Sequence, residues 1–328
     1  MINFIKEIKI ENFKSIRHCE LHGCKRINLF IGSTNVGKSN ILEALSIFSI
    51  PYLRENSSKK LSHLMRIENE TELFYNGNTN SDALVSTNVC KCKMAYNPKD
   101  GLQILIDFHT DSFPSFKVID KLTVSGLSNH PYFALPIKKY SFRRNALCEK
   151  SHAKYLIPPF GPNLLSIIEN YEDLKREVSC LFEEYRLKIA FDKSSQTIKV
   201  IQDNLYGICL IPYDSIADSL QRIIFFRAAI FSNSNSVLLF DGPEAHLFPP
   251  YITHITQEMI FKNDNQYFVA THSPFILNDL LENAKEELAI FMLNYNDHQT
   301  KVRQLSEDDL HELFQDGVDL FTNSEGFI

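Results

Sequence analysis

The sequence predicts an α/β fold in which both ends of the chain build one core and the middle builds an inserted α+β lobe. Three observations carry that prediction. A buried strand, a glycine-bearing loop and an amphipathic helix follow one another within residues 26–48. Alternating helix and strand signals return over residues 215–314. Between these regions, Asn, Ser, Gly and Pro break the chain into short β-prone runs and one longer helical pattern. The division expected is 1–50 and 205–328 for the core and 51–204 for the lobe.

Each element has its own reason. Ile8, Ile10 and Phe13 mark one face of an opening strand, and residues 26–31 (RINLFI) form a short buried one. After the loop, residues 38–48 (KSNILEALSIF) place Ile41, Leu42, Leu45 and Phe48 on one helical face. In the lobe, residues 102–108 (LQILIDF) and 116–124 read as strands, and 76–81 (NGNTNS) as a turn or loop. Residues 163–185 (NLLSIIENYEDLKREVSCLFEEY) read as one amphipathic helix, roughly 35 Å long at about 1.5 Å per residue. Strands at 187–191 and 197–201 follow, divided by a turn at 192–195. The last third gives a helix at 215–231, a strand at 236–241, a helix opening at Pro249 and Pro250, and a strand at 266–270. Helix and strand then alternate to Leu305, and a last helix spans 307–314.

Bulk composition narrows the class. The chain has 328 residues, 44% hydrophobic and 23% charged, which is ordinary for a globular protein. A net charge of -6 argues against a uniformly basic nucleic-acid coat, although a local basic groove is compatible with that average. The seven cysteines form no CxxC pair, and Cys90 and Cys92 have no second Cys/His pair at ligand spacing, so free thiols in a reducing cytoplasm are expected. No apolar run approaches the roughly 20 residues of a membrane span, and the charged opening stretch is no signal peptide. A cytoplasmic protein is expected.

Two strand ends and one loop carry chemistry. Residues 32–39 (GSTNVGKS) match GxxxxGK[ST] between a predicted strand and a predicted helix. In such a loop the backbone N–H groups of Gly32, Ser33, Thr34, Asn35, Val36 and Gly37, with the helix start at Asn40, cradle phosphate oxygens. Lys38 neutralises β/γ charge, and Ser39 binds Mg²⁺. Residues 236–241 (SVLLFD) form a buried strand ending in a carboxylate, the form of a Walker B strand whose Asp241 holds the same ion. After the next strand, His272 stands where an imidazole can reach the γ-phosphate or the attacking water, although a histidine beside an apolar strand is more often a core residue. ATP and Mg²⁺ are the cofactors this set implies.

Together, IENFKSI, IGSTNVGKSNILEAL, VLLFDGPEAHLFPP and VATHSPFIL resemble the ABC-type ATPases of the OLD/RecF/SMC lineage. Among these, the sequence is similar to the small bacterial AAA-15/AAA-21 ATPases and to the OLD ATPase domain. The resemblance covers residues 1–50 and 205–328 and weakens over the insertion, where KYLIPPFGPNL looks familiar. It implies an ABC/SMC-type P-loop nucleotide-binding domain, closing head-to-tail with a second copy around two ATP molecules. It also implies a role beside an effector, since relatives act in phage defence with a nuclease, fused or separately encoded.

The sequence departs from that pattern in two places. The family's Walker B run continues with a Glu that polarises the attacking water, and here Gly242 stands there, followed by Pro243, which stiffens the turn, and Glu244, the remaining candidate for the catalytic carboxylate. Slow turnover is expected, because losing a positioned general base typically lowers the rate by about 10²- to 10⁴-fold. Where relatives carry a Ser-x-Gly-x-Gln-Arg signature, residues 217–222 read ADSLQR, leaving Gln221 and Arg222 as trans nucleotide contacts. Two further readings stay open. Lys138, Lys139, Arg143 and Arg144 either touch a nucleic-acid backbone or protect a solvated strand edge with charge. Arg66 either reaches the nucleotide or is an ordinary surface cation. An ATP-gated homo-oligomer controlling a nuclease or toxin is the leading function, and a RecF/SMC-like DNA-repair ATPase is the alternative. The residues after His272 lack the spaced acidic set of a Toprim nuclease.

Overall fold

The computed structural model describes residues 4–108, 115–127, 136–144, 149–192, 197–205, 207–316 and 320–321. The chain begins with a hairpin, β1 (Ile8–Phe13) and β2 (Ile16–Leu21), then β3 (Ile27–Gly32) and α1 (Lys38–Ser46). Five strands follow a run of 3₁₀ turns: β4 (Ala83–Thr87), β5 (Lys91–Asn97), β6 (Gly101–Asp107), β7 (Ser115–Ile119) and β8 (Thr123–Ser125). After β9 (Ile137–Tyr140) come α2 (Leu164–Asn170), α3 (Glu172–Glu183) and the strands β10 (Leu187–Asp192), β11 (Thr197–Asn204) and β12 (Gly207–Pro212). The last part alternates: α4 (Asp218–Phe231), β13 (Val237–Asp241), α5 (Pro249–Phe261), β14 (Gln266–Ala270), α6 (Pro274–Asn283), β15 (Leu288–Asn296), β16 (Gln299–Gln304) and α7 (Glu307–Asp316).

The residues divide into two compact units: Met1–Lys139 with Asn235–Pro243 and Asn263–Ile328, and Tyr140–Ser234 with Glu244–Lys262. In the first unit, one sheet runs β2-β1-β4-β5-β6-β7-β8 with every neighbouring pair antiparallel. Its strands alternate buried and open positions, as in Lys91–Asn97, because one face packs on the core and the other meets water. The second sheet runs β16-β15-β3-β14-β13-β9, with β15, β3, β14 and β13 parallel. All residues of β3 and β14 are buried, the pattern of a parallel sheet covered on both faces. Helix α1 packs against β1 of the first sheet and against β3, β13 and β14 of the second. Ile41, Leu42, Leu45 and Phe48 are fully buried there, on the face the sequence pattern assigned to the core.

These units do not follow the cuts expected at residues 50 and 204. Strand β4 pairs with β1, placing Ile8 opposite Thr87, so strands β4 to β8 continue the sheet that the N-terminal hairpin begins. The stretch expected as a single strand at 116–124 is two, with a 3₁₀ turn at Asp120–Leu122 between them.

In the second unit, the 163–185 helix is broken. Tyr171 is extended at φ -116 and ψ 99, and separates α2 from α3. Its hydroxyl donates to the Lys154 carbonyl at 2.6 Å and its ring meets Phe231 edge-on at 5.5 Å, tertiary contacts that outweigh helical continuity. Arg227 ties three helices, donating to Glu177 of α3 at 2.5 Å and Glu258 of α5 at 3.4 Å. Strands β10, β11 and β12 form an antiparallel sheet. The third of these was not anticipated, because its apolar residues face water: Ile208 is 72% exposed and Leu210 54%. The turn expected at 192–195 lies largely outside the described residues. Among the described residues, no helix is long and apolar enough to cross a membrane.

Candidate functional site

The parallel sheet brings the chemistry to one end. Phe30, Ala270 and Asp241 sit level in the register of β3, β14 and β13. The loop after β3, the residue after β13 and the segment after β14 therefore emerge side by side at the carboxyl ends of the strands, where open α/β sheets bind ligands. Residues 34–40, Arg66, Asp241, Gly242, Ala270 and His272 line a cavity of about 320 Å³.

The loop is shaped by its neighbours. Gly37 opens α1 at φ 101, and a Cβ there would lie 2.2 Å from Thr300 Oγ1 and 2.9 Å from Ser15 Oγ. Only glycine satisfies both the backbone angle and the space. Those hydroxyls are themselves fixed: Ser15 Oγ lies 2.7 Å from Thr300 Oγ1 and accepts from Asn40 Nδ2 at 2.6 Å. Val36 is buried as an anchor, while Ser33, Thr34 and Asn35 are exposed. Lys38 folds back over the loop, its Nζ donating to the carbonyls of Gly32 at 2.8 Å and Ser33 at 2.6 Å. The loop amides and this ammonium surround one volume, the arrangement that receives polyphosphate at a helix N-terminus.

Ser39 Oγ donates to Asp241 Oδ1 at 3.1 Å. A hydroxyl and a carboxylate oxygen this close are the hard donors a magnesium ion takes beside phosphates, so the residues present fit Mg²⁺. The other oxygen, Oδ2, accepts from Arg66 Nη2 at 2.7 Å. His272 is exposed at the cavity wall, two residues beyond β14. Thr271 sets that segment, its N–H donating to the Phe30 carbonyl at 3.2 Å and its hydroxyl accepting from Ser273 N–H at 3.0 Å.

Behind this wall lies a charged cluster that sequence reasoning missed. Glu43, one turn beyond Ser39 on α1, is 1% exposed and pairs with Lys14, which is 10% exposed. Glu43 Oε1 accepts from the Arg66 backbone N–H at 3.1 Å, and Lys14 Nζ donates to the Arg66 carbonyl at 2.9 Å. Lys139 donates to the Leu64 carbonyl at 2.7 Å, and burial lowers its pKa, opposed by the charges of Glu43 and Asp241. The readable signal was Glu43 itself, a charge set among Ile41, Leu42 and Leu45 on a helix with that apolar face.

The paired lysines correct both earlier readings. Lys138 and Lys139 are each 5% exposed, so neither coats a strand edge nor meets a nucleic-acid backbone. Lys138 lies 5.5 Å from the Tyr52 ring centroid, and burial pulls its pKa down to about 7. Arg143 and Arg144 remain exposed, with Arg144 3.9 Å from Asp218. Cys90 and Cys92 are buried in the first unit, and burial pushes the Cys90 thiol up to about 12. Among the described residues no group of His, Cys, Asp or Glu forms a cluster able to hold a metal ion.

The remaining expected site residues are placed as follows. Gly242 has φ 62 and donates its N–H to the Ala270 carbonyl at 2.8 Å. A Cβ there would meet nothing within 4 Å, so backbone conformation, not space, favours glycine. Glu244 is half-buried and belongs to the second unit. Gln221 is 1% exposed, its Nε2 donating to the Ile216 carbonyl at 3.1 Å. Arg222 donates to Asp218 at 2.6 Å and lies 4.6 Å from the Phe142 ring centroid. Both residues are engaged within the second unit, and Gln221 would have to leave its carbonyl to touch a nucleotide.

With this geometry in view, comparison with known proteins decides the family. The AAA_15 family, described as an AAA ATPase domain, matches residues 4–207. The chain belongs to that family. This ATPase domain is of the ABC/SMC P-loop type, and the family match runs through the middle of the chain, where the sequence resemblance had looked weakest. Two solved structures share the fold. The SMC head bound to the C-winged helix domain of ScpA has a TM-score of 0.54 at 12% identity, covering 94% of this chain and 99% of that one. The SMC head with an extended coiled coil, bound to the C-terminal domain of ScpA derived from Pyrococcus furiosus, has a TM-score of 0.50 at 12% identity, covering 95% and 99%.

Curated relatives match over shorter stretches. The DNA replication and repair protein RecF of Caldanaerobacter subterraneus is 34% identical over 67 residues, 20% of this chain and 18% of that protein. Protein ea59 of Escherichia phage lambda is 28% identical over 120 residues, 36% and 21% respectively. An ATP/GTP phosphatase of Helicobacter pylori is 42% identical over 41 residues, 12% and 11%. The ATPase domain thus spans about a fifth of the length of these relatives or less.

Proposed function

We propose that this ATPase domain binds Mg–ATP, closes head-to-tail with a second copy around two nucleotides, turns ATP over slowly, and through its ATP-bound state controls a partner effector. The observation that carries the reading is the Ser39–Asp241 contact at 3.1 Å beside a loop whose amides and Lys38 face one cavity. Lys38 and the start of α1 hold the β- and γ-phosphates, and His272 contacts the γ-phosphate or the attacking water. A bound Mg²⁺, held by Ser39 and Asp241, supplies charge neutralisation at the transferring phosphoryl group. Gly242 supports slow turnover, since no carboxylate follows Asp241 to take the water's proton. The proposed effector is a nuclease or toxin in an OLD-like anti-phage system of the cytoplasm, as the sequence resemblance implies.

A second reading, a DNA-repair ATPase, is favoured by the RecF match. Light scattering with and without Mg–ATP, alongside phosphate release and duplex DNA binding, separates the readings. The first expects an even-numbered assembly with ATP, slow release and no ATP-dependent DNA affinity. A strict monomer at saturating ATP, or brisk release that collapses in Glu244→Gln, contradicts it. Tight ATP-dependent DNA binding selects the second.

A further inference from the structure

The hydrogen bonds around Arg66 point to a role that ATP binding alone does not require. Arg66 has a 76% exposed side chain, yet its guanidinium lies on Asp241 Oδ2 at 2.7 Å. Its backbone is held at both polar atoms: Glu43 Oε1 accepts the N–H at 3.1 Å, and Lys14 Nζ donates to the carbonyl at 2.9 Å. The Lys14–Glu43 pair is buried, so this clamp sits in a low-dielectric setting and is shielded from salt. These two backbone bonds do not involve the side chain, whose Nε also lies 4.0 Å from Glu43 Oε1. The guanidinium can therefore leave Asp241 while the backbone stays in place.

We propose that Arg66 is the resident counter-cation of Asp241 and competes with a divalent metal ion for that carboxylate, with Lys14 and Glu43 as its positioning residues. The proposal rests on the reading of Asp241 as a metal ligand. Ser39 occupies Oδ1 at 3.1 Å and the guanidinium occupies Oδ2 at 2.7 Å, so both oxygens of the carboxylate are engaged and its charge is neutralised before any divalent cation arrives. The Arg66 guanidinium presents its positive charge to any bare cation that approaches this carboxylate. Nucleotide phosphates reverse that sign, by drawing the exposed guanidinium to themselves and by bringing their own negative charge to the ion. Metal is thus admitted with nucleotide and excluded without it.

The test uses Mn²⁺ as the probe, followed by electron paramagnetic resonance of the free ion, with the full chain and no nucleotide. Wild type is expected to show weak uptake, and Arg66→Gln a saturable site at least about tenfold tighter, the equivalent of one lost charge-assisted hydrogen bond. Arg66→Lys, which keeps the charge, is expected to fall between them, and Arg66→Gln with Asp241→Asn to lose the site. Circular dichroism confirms the fold of each variant. Equal Mn²⁺ uptake by wild type and Arg66→Gln overturns the proposal, as does a site that survives Asp241→Asn. Binding of a fluorescent ATP analogue in chelator is measured in parallel. Its failure in the wild type would sink the reading as an ATP site, while the Mn²⁺ comparison still decides whether Arg66 guards Asp241.

Discussion

The two walls of the nucleotide cavity are made by different means. The phosphate-facing wall is one contiguous loop, residues 32–39, whose donors are mostly main-chain N–H groups fixed by a strand, a helix start and one crowded glycine. The other is carried by Arg66, the one cavity-lining member of a cluster with Lys14, Glu43 and Lys139 behind it, four distant segments joined by hydrogen bonds and buried charge. The first wall keeps Ser33, Thr34 and Asn35 exposed for binding and is anchored by the buried Val36. In the second, Glu43, Lys139 and the largely buried Lys14 lie behind the exposed Arg66 side chain, and a change of charge among them leaves a partner uncompensated. Substitutions on the two walls should therefore separate affinity from stability.

The largest effect on stability is expected at Glu43. Glu43→Ala leaves Lys14 buried without its carboxylate and the Arg66 N–H without its acceptor, and should lower the unfolding free energy by about 3–5 kcal/mol in urea titration. A loss below about 1 kcal/mol would mean that the pair is idle and the comparison is wrong.

Lys138 sharpens the contrast, because it is buried beside the Tyr52 ring and the Ser236 hydroxyl, and the cost of burying its charge outweighs the opposing pull of Glu55. Its pKa falls from 10.5 to about 7, so between those values the unfolded chain binds more protons than the folded one. Stability from this group therefore rises with pH across that window and is lowest at and below pH 7. Lys138→Met should stabilise the chain by about 2 kcal/mol at pH 7, with the gap to wild type closing as pH approaches 10.5. Parallel curves for the two chains across that range would contradict the assignment.

Gly242 gives the smallest effect. At φ 62, with nothing within 4 Å of a Cβ, Gly242→Ala should lower stability by about 1 kcal/mol through backbone strain alone. Thermal denaturation reads this directly, and an unchanged or raised melting temperature would show that the left-handed backbone is not what holds glycine there. The same strain bears on restoring the missing acid: Gly242→Glu has room for its side chain but must carry that backbone penalty.

What the sequence could reveal follows from the same contrast. The P-loop was legible because its chemistry lies in eight consecutive residues between a strand and a helix, and the SVLLFD strand because a continuous apolar run ends in a single carboxylate. The Lys14–Glu43–Arg66 clamp was not, since pairing between residues 14, 43 and 66 exists only after α1 packs beside β1. Lys138 and Lys139 misled for a related reason: a charged pair in a short strand ordinarily faces water, and here Tyr52, Ser236, Leu64 and the carboxylates enclose it. Strand β12 and the break at Tyr171 escaped as well, the first because its apolar residues are exposed and the second because the helical pattern runs through a residue held by tertiary contacts.

ATP binding at the wall of residues 32–39 is proposed to run through its amides and Lys38. Calorimetric titration of Mg–ATP into wild type and Lys38→Ala, with the fold of both checked by circular dichroism, tests it most directly. A saturable exchange of heat is expected in the wild type, and an affinity lower by on the order of 100-fold in Lys38→Ala, since an ammonium facing phosphate makes charge-assisted hydrogen bonds. Equal affinity in the two chains would contradict it.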